Sequence, residues 1–172
     1  MRIALLIVGL LFLAIGLIVA IGALLPQSHL SRRRARFHKP AEEVFALLSN
    51  FAAMPSWRAD LQRIELLAPQ EGKQRYREIG RGGEVTYLVE SLEPPRLLRT
   101  RIADKLPYGG TWTLTLEPES DGCVLTIVEA GEVYNPLFRF VSRFILGHTA
   151  TIDAYLKSLA LKLGEPLQLL DW

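Results

Sequence analysis

Between Ile3 and Leu25 the chain runs 23 residues without a charge, and only Gly9, Gly16 and Gly22 are not plainly apolar. At about 1.5 Å per residue such a helix is roughly 34 Å long, enough to cross a hydrocarbon layer of about 30 Å. Pro26 ends it, and Pro26 to Ser31 reads as a short polar linker. Arg32 to His38 predicts a first strand with Ala35 and Phe37 on one face. Pro40 then suits the first position of a helix whose apolar stripe is Val44, Leu47 and Leu48. A second short helix or turn follows from Phe51 to Trp57. From residue 61 to 131 the period changes to that of strands separated by turn signals, Leu61–Leu67, Gln74–Ile79, Glu84–Leu92, Leu97–Ala103, Gly109–Leu116 and Cys123–Gly131. Thr111, Thr113 and Thr115 alternate with Trp112, Leu114 and Leu116, and Glu84, Thr86 and Glu90 with Val85, Tyr87 and Val89. Such alternation marks antiparallel strands buried on one face. Last, Leu137, Val141, Phe144, Ile145, His148, Ile152, Tyr155, Leu156, Leu159 and Leu163 follow helical spacing, with Arg139, Arg143, Asp153 and Lys157 opposite and Gly164 placed to end the helix.

These elements imply an α+β fold, a curved antiparallel sheet of about seven strands around a long C-terminal helix, preceded by one transmembrane helix. The expected division is an anchor and linker over 1–31, a folded domain over 32–166 and a tail over 167–172. Charge refines this picture. Arg32, Arg33, Arg34, Arg36 and Lys39 stand together just beyond the apolar run, while residues from 40 onward carry a net charge of −4. An acidic body argues against nucleic-acid binding, which favours a basic face. A secretory signal is the competing reading of the apolar run, with Ala20-Ile21-Gly22 as the cleavage site. The run exceeds the roughly 7–15 residues of a signal core, and the arginine cluster follows within about ten residues, so it reads as an uncleaved single-pass anchor. The same cluster holds the C-terminal body in the cytoplasm, at the inner (plasma) membrane.

The segment Lys39-Pro40-Ala41-Glu42-Glu43-Val44-Phe45, followed by Leu48-Ser49-Asn50-Phe51 and Pro55-Ser56-Trp57, resembles the opening of the START/birch-pollen-allergen (SRPBCC) superfamily, in particular its polyketide cyclase/dehydrase-like branch. Asn50 stands where that family usually has Asp. Glu90-Ser91-Leu92-Glu93-Pro94-Pro95-Arg96-Leu97-Leu98 is similar to the family's mid-sheet strand, turn and strand, and Gly110–Leu114 with Asp121–Thr126 to its last hairpin. The resemblance spans about residues 32–164 and implies a helix-grip fold with an internal cavity for apolar ligands such as lipids, sterols, quinones or polyketides. A membrane anchor departs from most members of that family.

The candidate chemistry is sparse. His29, His38 and His148 have no metal-ligand spacing, a lone Cys123 excludes an internal disulfide, and no nucleophilic triad or phosphate loop is present. No catalytic residue, metal or cofactor is therefore assigned. The expected cavity residues are Trp57, Tyr76, Tyr87, Trp112, Phe144, His148, Thr151 and Tyr155, with Tyr134 and Asn135 at the mouth. His148 lies in the middle of the helical stripe; it either orients a ligand or is a core histidine satisfied by its neighbours. Arg75, Arg77, Arg99 and Arg101 are expected on the outer sheet face, paired with Glu84 and Glu90. The favoured function is a membrane-anchored binding domain for a hydrophobic small molecule or lipid. Two alternatives stay open: a cyclase or dehydrase using His148 or Glu129 as acid/base, and a structural module whose core is filled.

Overall fold

The structure, a computed structural model, describes residues 2–147 and 149–171. An N-terminal helix α1 (Arg2–Leu24) leads into β1 (Ser28–Phe37), α2 (Ala41–Ser49) and a 3-10 turn over Phe51–Ser56. Six strands follow in a meander: β2 (Leu61–Gln70), β3 (Lys73–Gly80), β4 (Gly83–Glu93), β5 (Leu97–Ile102), β6 (Tyr108–Glu119) and β7 (Gly122–Val133). The chain closes with α3 (Pro136–Val141), a π turn over Ser142–Leu146, α4 (Ala150–Leu163) and β8 (Gln168–Leu170). The sheet order is β2-β3-β4-β5-β6-β7-β1-β8, and neighbouring strands run antiparallel throughout. This is the expected α+β helix-grip architecture. Among the described residues the sheet has eight strands, the eighth coming from the segment expected as a tail. It pairs with β1 through Arg34–Leu170, Ala35–Leu169 and Arg36–Gln168.

The core lies between the concave face of the sheet, α2 and α4. Phe37, Val44, Leu48, Leu125, Ile127, Ile152, Leu156 and Leu159 are all fully buried there. In contrast, most of the apolar side chains of α1 are exposed. It is one helix long and apolar enough to cross a membrane.

Three expectations change. The supposed linker is partly strand, because β1 begins at Ser28 and pairs with β7 from Ser28–Glu132 onward. Thr86, expected on the solvated face, is buried. Asp104 accepts from its backbone N–H at 2.6 Å, and the turn beyond β5 folds over it. The long C-terminal helix is broken. Gly147 adopts φ +77°, a left-handed conformation that a side chain disfavours, directly after the π turn. The apolar stripe is therefore split into two helices with different partners. From Ile152 onward it faces the sheet, whereas Phe144 and Ile145 are exposed.

Candidate functional site

On the concave side a cavity of about 380 Å³ opens between α4 and the chain following the 3-10 turn. Its floor is supplied by alternate residues of β3 and β4. Tyr76 and Tyr87 are directly opposed in the register and their rings stack at 5.2 Å, with Phe51 stacked on the other side of Tyr76 at 4.2 Å. Trp112 of β6 and Tyr155 of α4 meet edge to face at 5.6 Å and narrow the space from opposite sides. Thr151, Ala154 and Ser158 form its α4 rim. Both the size and the mostly apolar walls with a few polar groups suit a small-molecule site.

The charged groups in this space, Arg58, Asp60 and Glu78, are not among the residues expected from the sequence. Arg58 follows the 3-10 turn, where its backbone N–H donates to the Met54 carbonyl at 2.8 Å. Its guanidinium reaches Glu78 of β3 at 2.6 Å and Asp60 at 2.7 Å, and it lies 5.3 Å from the centre of the Tyr155 ring. Arg58 and Glu78 side chains are only 13% and 11% exposed, so the pair is largely desolvated. Burial raises the Glu78 carboxyl above its usual range, and the attraction of Arg58 only partly offsets this. Burial opposes the charge on Arg58, yet Glu78 and Asp60 outweigh it and hold the guanidinium protonated. Desolvation also raises the phenols of Tyr76, Tyr87 and Tyr155, which stay protonated. All three tyrosines line the cavity, so its wall carries phenols in their protonated form. The signal for Glu78 was present in the alternation. Once Arg75 and Arg77 are placed outside, Tyr76 and Glu78 must point inside. No comparable signal marked Arg58, whose position depends on the turn.

Of the expected cavity residues, Tyr76, Tyr87, Trp112, Thr151 and Tyr155 line this space. Trp57 does not line it; it packs edge-on against Tyr155 at 5.4 Å, behind the wall. Phe144 is 59% exposed and lies tilted against Phe140 at 4.9 Å, because the helix break turns it away from the sheet. His148 lies outside the described residues. Tyr134 and Asn135 are not at this mouth. Asn135 caps α3, accepting from the N–H groups of Leu137 at 2.9 Å and Phe138 at 3.2 Å, and Tyr134 donates to Glu132. Arg139, expected on the solvated side, is buried with its guanidinium on the carbonyls of Leu25 and Tyr134. Of the outer arginines, Arg99 and Arg101 pair with Glu90 at 3.1 and 2.7 Å and Arg77 lies near Glu84, as expected, whereas the Arg75 Nε is buried with no hydrogen-bond partner among the described residues. Glu129, the other carboxylate considered for acid/base work, is half-buried on the concave face and opposite Trp112 in the register. Burial raises its carboxyl, offset in part by the Trp112 indole. Among the described residues no cluster of His, Cys, Asp and Glu could hold a metal ion.

The family model described as "Polyketide cyclase / dehydrase and lipid transport" matches residues 30–164. The chain belongs to this family. Solved structures share its fold at low identity. The di-domain ARO/CYC StfQ from the steffimycin biosynthetic pathway superposes with a TM-score of 0.62 at 13% identity, covering 77% of this chain and 49% of its own. This chain thus spans about half the length of that two-domain protein. A START superfamily protein from Mycobacterium smegmatis gives a TM-score of 0.62 at 16% identity over 79% of this chain and 97% of its own. Norcoclaurine synthase from Thalictrum flavum gives 0.62 at 12% identity over 81% and 88%. No curated protein matches the sequence. The START-like neighbour shares the fold, and the cavity lies where the helix grips the sheet.

Proposed function

We propose that this member of the family is a membrane-anchored binding protein for a hydrophobic small molecule or lipid, held between the sheet and α4 on the cytoplasmic side of the inner membrane. The observation that carries the reading is the cavity of about 380 Å³, with aromatic walls and a protonated phenol cluster beside the Arg58–Glu78 pair. An apolar body would lie against Trp112, Leu98 and Leu114, and a hydroxyl or carbonyl at one end would accept from the tyrosines. Arg58 is already balanced by two carboxylates, so the site favours a neutral polar group over a free acid. α1 would hold the domain at the source of such a ligand, and the arginines after it support a cytoplasmic domain. The division into an anchor and a folded domain is part of this proposal.

Ala154 at the cavity rim provides the test. Ala154→Trp places an indole across the opening without touching the fully buried core. Full-length protein extracted in mild detergent is expected to carry a co-purifying hydrophobic molecule by mass spectrometry, and the variant to lose at least about tenfold of it, equivalent to about 1.4 kcal/mol. An equal load on both proteins would refute this placement of the ligand. The orientation is checked at Ser120, exposed in the turn between β6 and β7. In a Cys123→Ser background, Ser120→Cys is expected to react with an impermeant maleimide only after the cells are opened. Reaction in intact cells would place the domain outside.

One observation favours a catalytic reading: Glu78 is a buried carboxyl with a raised proton affinity facing the cavity, as a general acid would be. Its bond to Arg58 at 2.6 Å ties up that carboxylate, and binding is the better-supported function.

A further inference from the structure

The break at Gly147 leaves a short arm, Pro136 to Ile145, whose helix α3 packs mainly on α1 and only lightly on β7, and which carries the π turn at its end. Along α1 the residues shielded from solvent are Ile18, Ile21, Gly22 and Leu25, a single helical stripe. α3 covers this stripe closely. A Cβ at Gly22 would collide with the Pro136 carbonyl, and Arg139 donates to the carbonyls of Ala23 at 3.4 Å and Leu25 at 2.8 Å. These carbonyls belong to the last turn of α1, whose partners the helix itself cannot supply. The arm therefore runs beside the final two turns of the apolar helix, over about 10 Å of its length. The arm presents Phe138, Phe144 and Ile145 at 54%, 59% and 68% exposure, with Arg143 exposed among them.

Resting on the reading of α1 as a membrane span, we propose that the arm is a membrane-inserted element, with the bilayer interface as its partner. If Ile18–Leu25 lies in the lipid, a segment fixed alongside it lies at the same depth. Phe138, Phe144 and Ile145 then enter the acyl boundary, about 5–10 Å below the headgroups, and Arg143 reaches anionic phosphates. Their exposure is that of lipid-facing side chains. The arm leads directly into α4, which carries the rim residues Thr151, Ala154 and Ser158, so the cavity rim is tethered to the membrane from two directions, through α1 and through the arm.

The test uses the full chain, in a Cys123→Ser background, reconstituted into vesicles of phosphatidylcholine and phosphatidylglycerol. A polarity-sensitive fluorophore is placed singly at Phe12→Cys in α1, at Phe138→Cys, at Ile145→Cys and at Ser120→Cys. All four positions are exposed, so the labels displace no core packing. Spin-labelled lipids with shallow nitroxides are expected to quench the Phe138 and Ile145 probes at least about twofold more than the Ser120 probe. A Phe12 probe with the emission of an apolar environment beside unquenched arm probes would overturn the arm proposal and leave the anchor standing. Arm probes shielded from lipid that crosslink between two chains would overturn it in favour of a second copy on this face. An aqueous Phe12 probe would overturn the anchor reading and the arm proposal with it.

Discussion

Arg58→Met is expected to destabilise the folded domain by about 3–5 kcal/mol near pH 8, since it strips a buried carboxylate of its countercharge. Glu78 would keep its burial but lose the 2.6 Å bond that makes its charge tolerable. Its response would be to take up a proton, so the loss should depend on pH. In the folded chain Glu78 already binds its proton more tightly than an exposed carboxyl does. A group with a raised folded value contributes stability that is fully present below its unfolded value, around pH 4, and fades as pH climbs through the folded one. Without Arg58 that folded value rises further. The variant should therefore be closer to the parent at pH 5 than at pH 8, as read by denaturant unfolding of the full chain in detergent. An equal deficit at both values would show that Glu78 is not the group left unpaired. Arg58→Met combined with Glu78→Leu should recover much of the loss, because two apolar side chains need no compensation.

Leu156→Ala is the second large effect, about 2–5 kcal/mol. Leu156 is fully buried on α4 where the helix grips the sheet, and truncation opens a void that rigid neighbours fill only partly. Leu161, on the same helix, is 73% exposed, and Leu161→Ala should stay within about 0.5 kcal/mol. The pair separates the loss of helix–sheet packing from any change in helix propensity, since Leu→Ala alters propensity alike at both sites. Comparable losses at both positions would mean that Leu161 is also covered, for example by another chain.

Much of the architecture was legible along the chain because strand and helix periods differ. β2 to β7 lie where alternation and turn residues predict them, and α4 ends at Gly164, whose φ of +73° accommodates the left-handed cap. The family resemblance carried by Pro40–Phe45 and Pro55–Trp57 agrees with the family match over residues 30–164. Tyr76, Tyr87, Trp112 and Tyr155 were legible as wall residues because an aromatic on the inner face of a strand or helix has only the concave side to face.

Tertiary structure decided what a one-dimensional pattern cannot hold. A helical stripe says which residues share a face but not whether the backbone runs straight through, and the break at Gly147 leaves Phe144 and Ile145 exposed while Ile152 onward faces the sheet. That division moved Phe144 out of the cavity and turned Arg139, an apparently solvated cation, into a partner for the last carbonyls of α1. Arg58 gained its role from a 3-10 turn that brings it to Glu78, 20 positions away in the chain. The expected tail became an eighth strand because β1 had an unpaired edge beside it, an opportunity that exists only once the sheet has formed. Local periodicity set the elements and their inner faces, whereas the contacts that make the site join residues far apart in sequence, and only the folded chain brings them together.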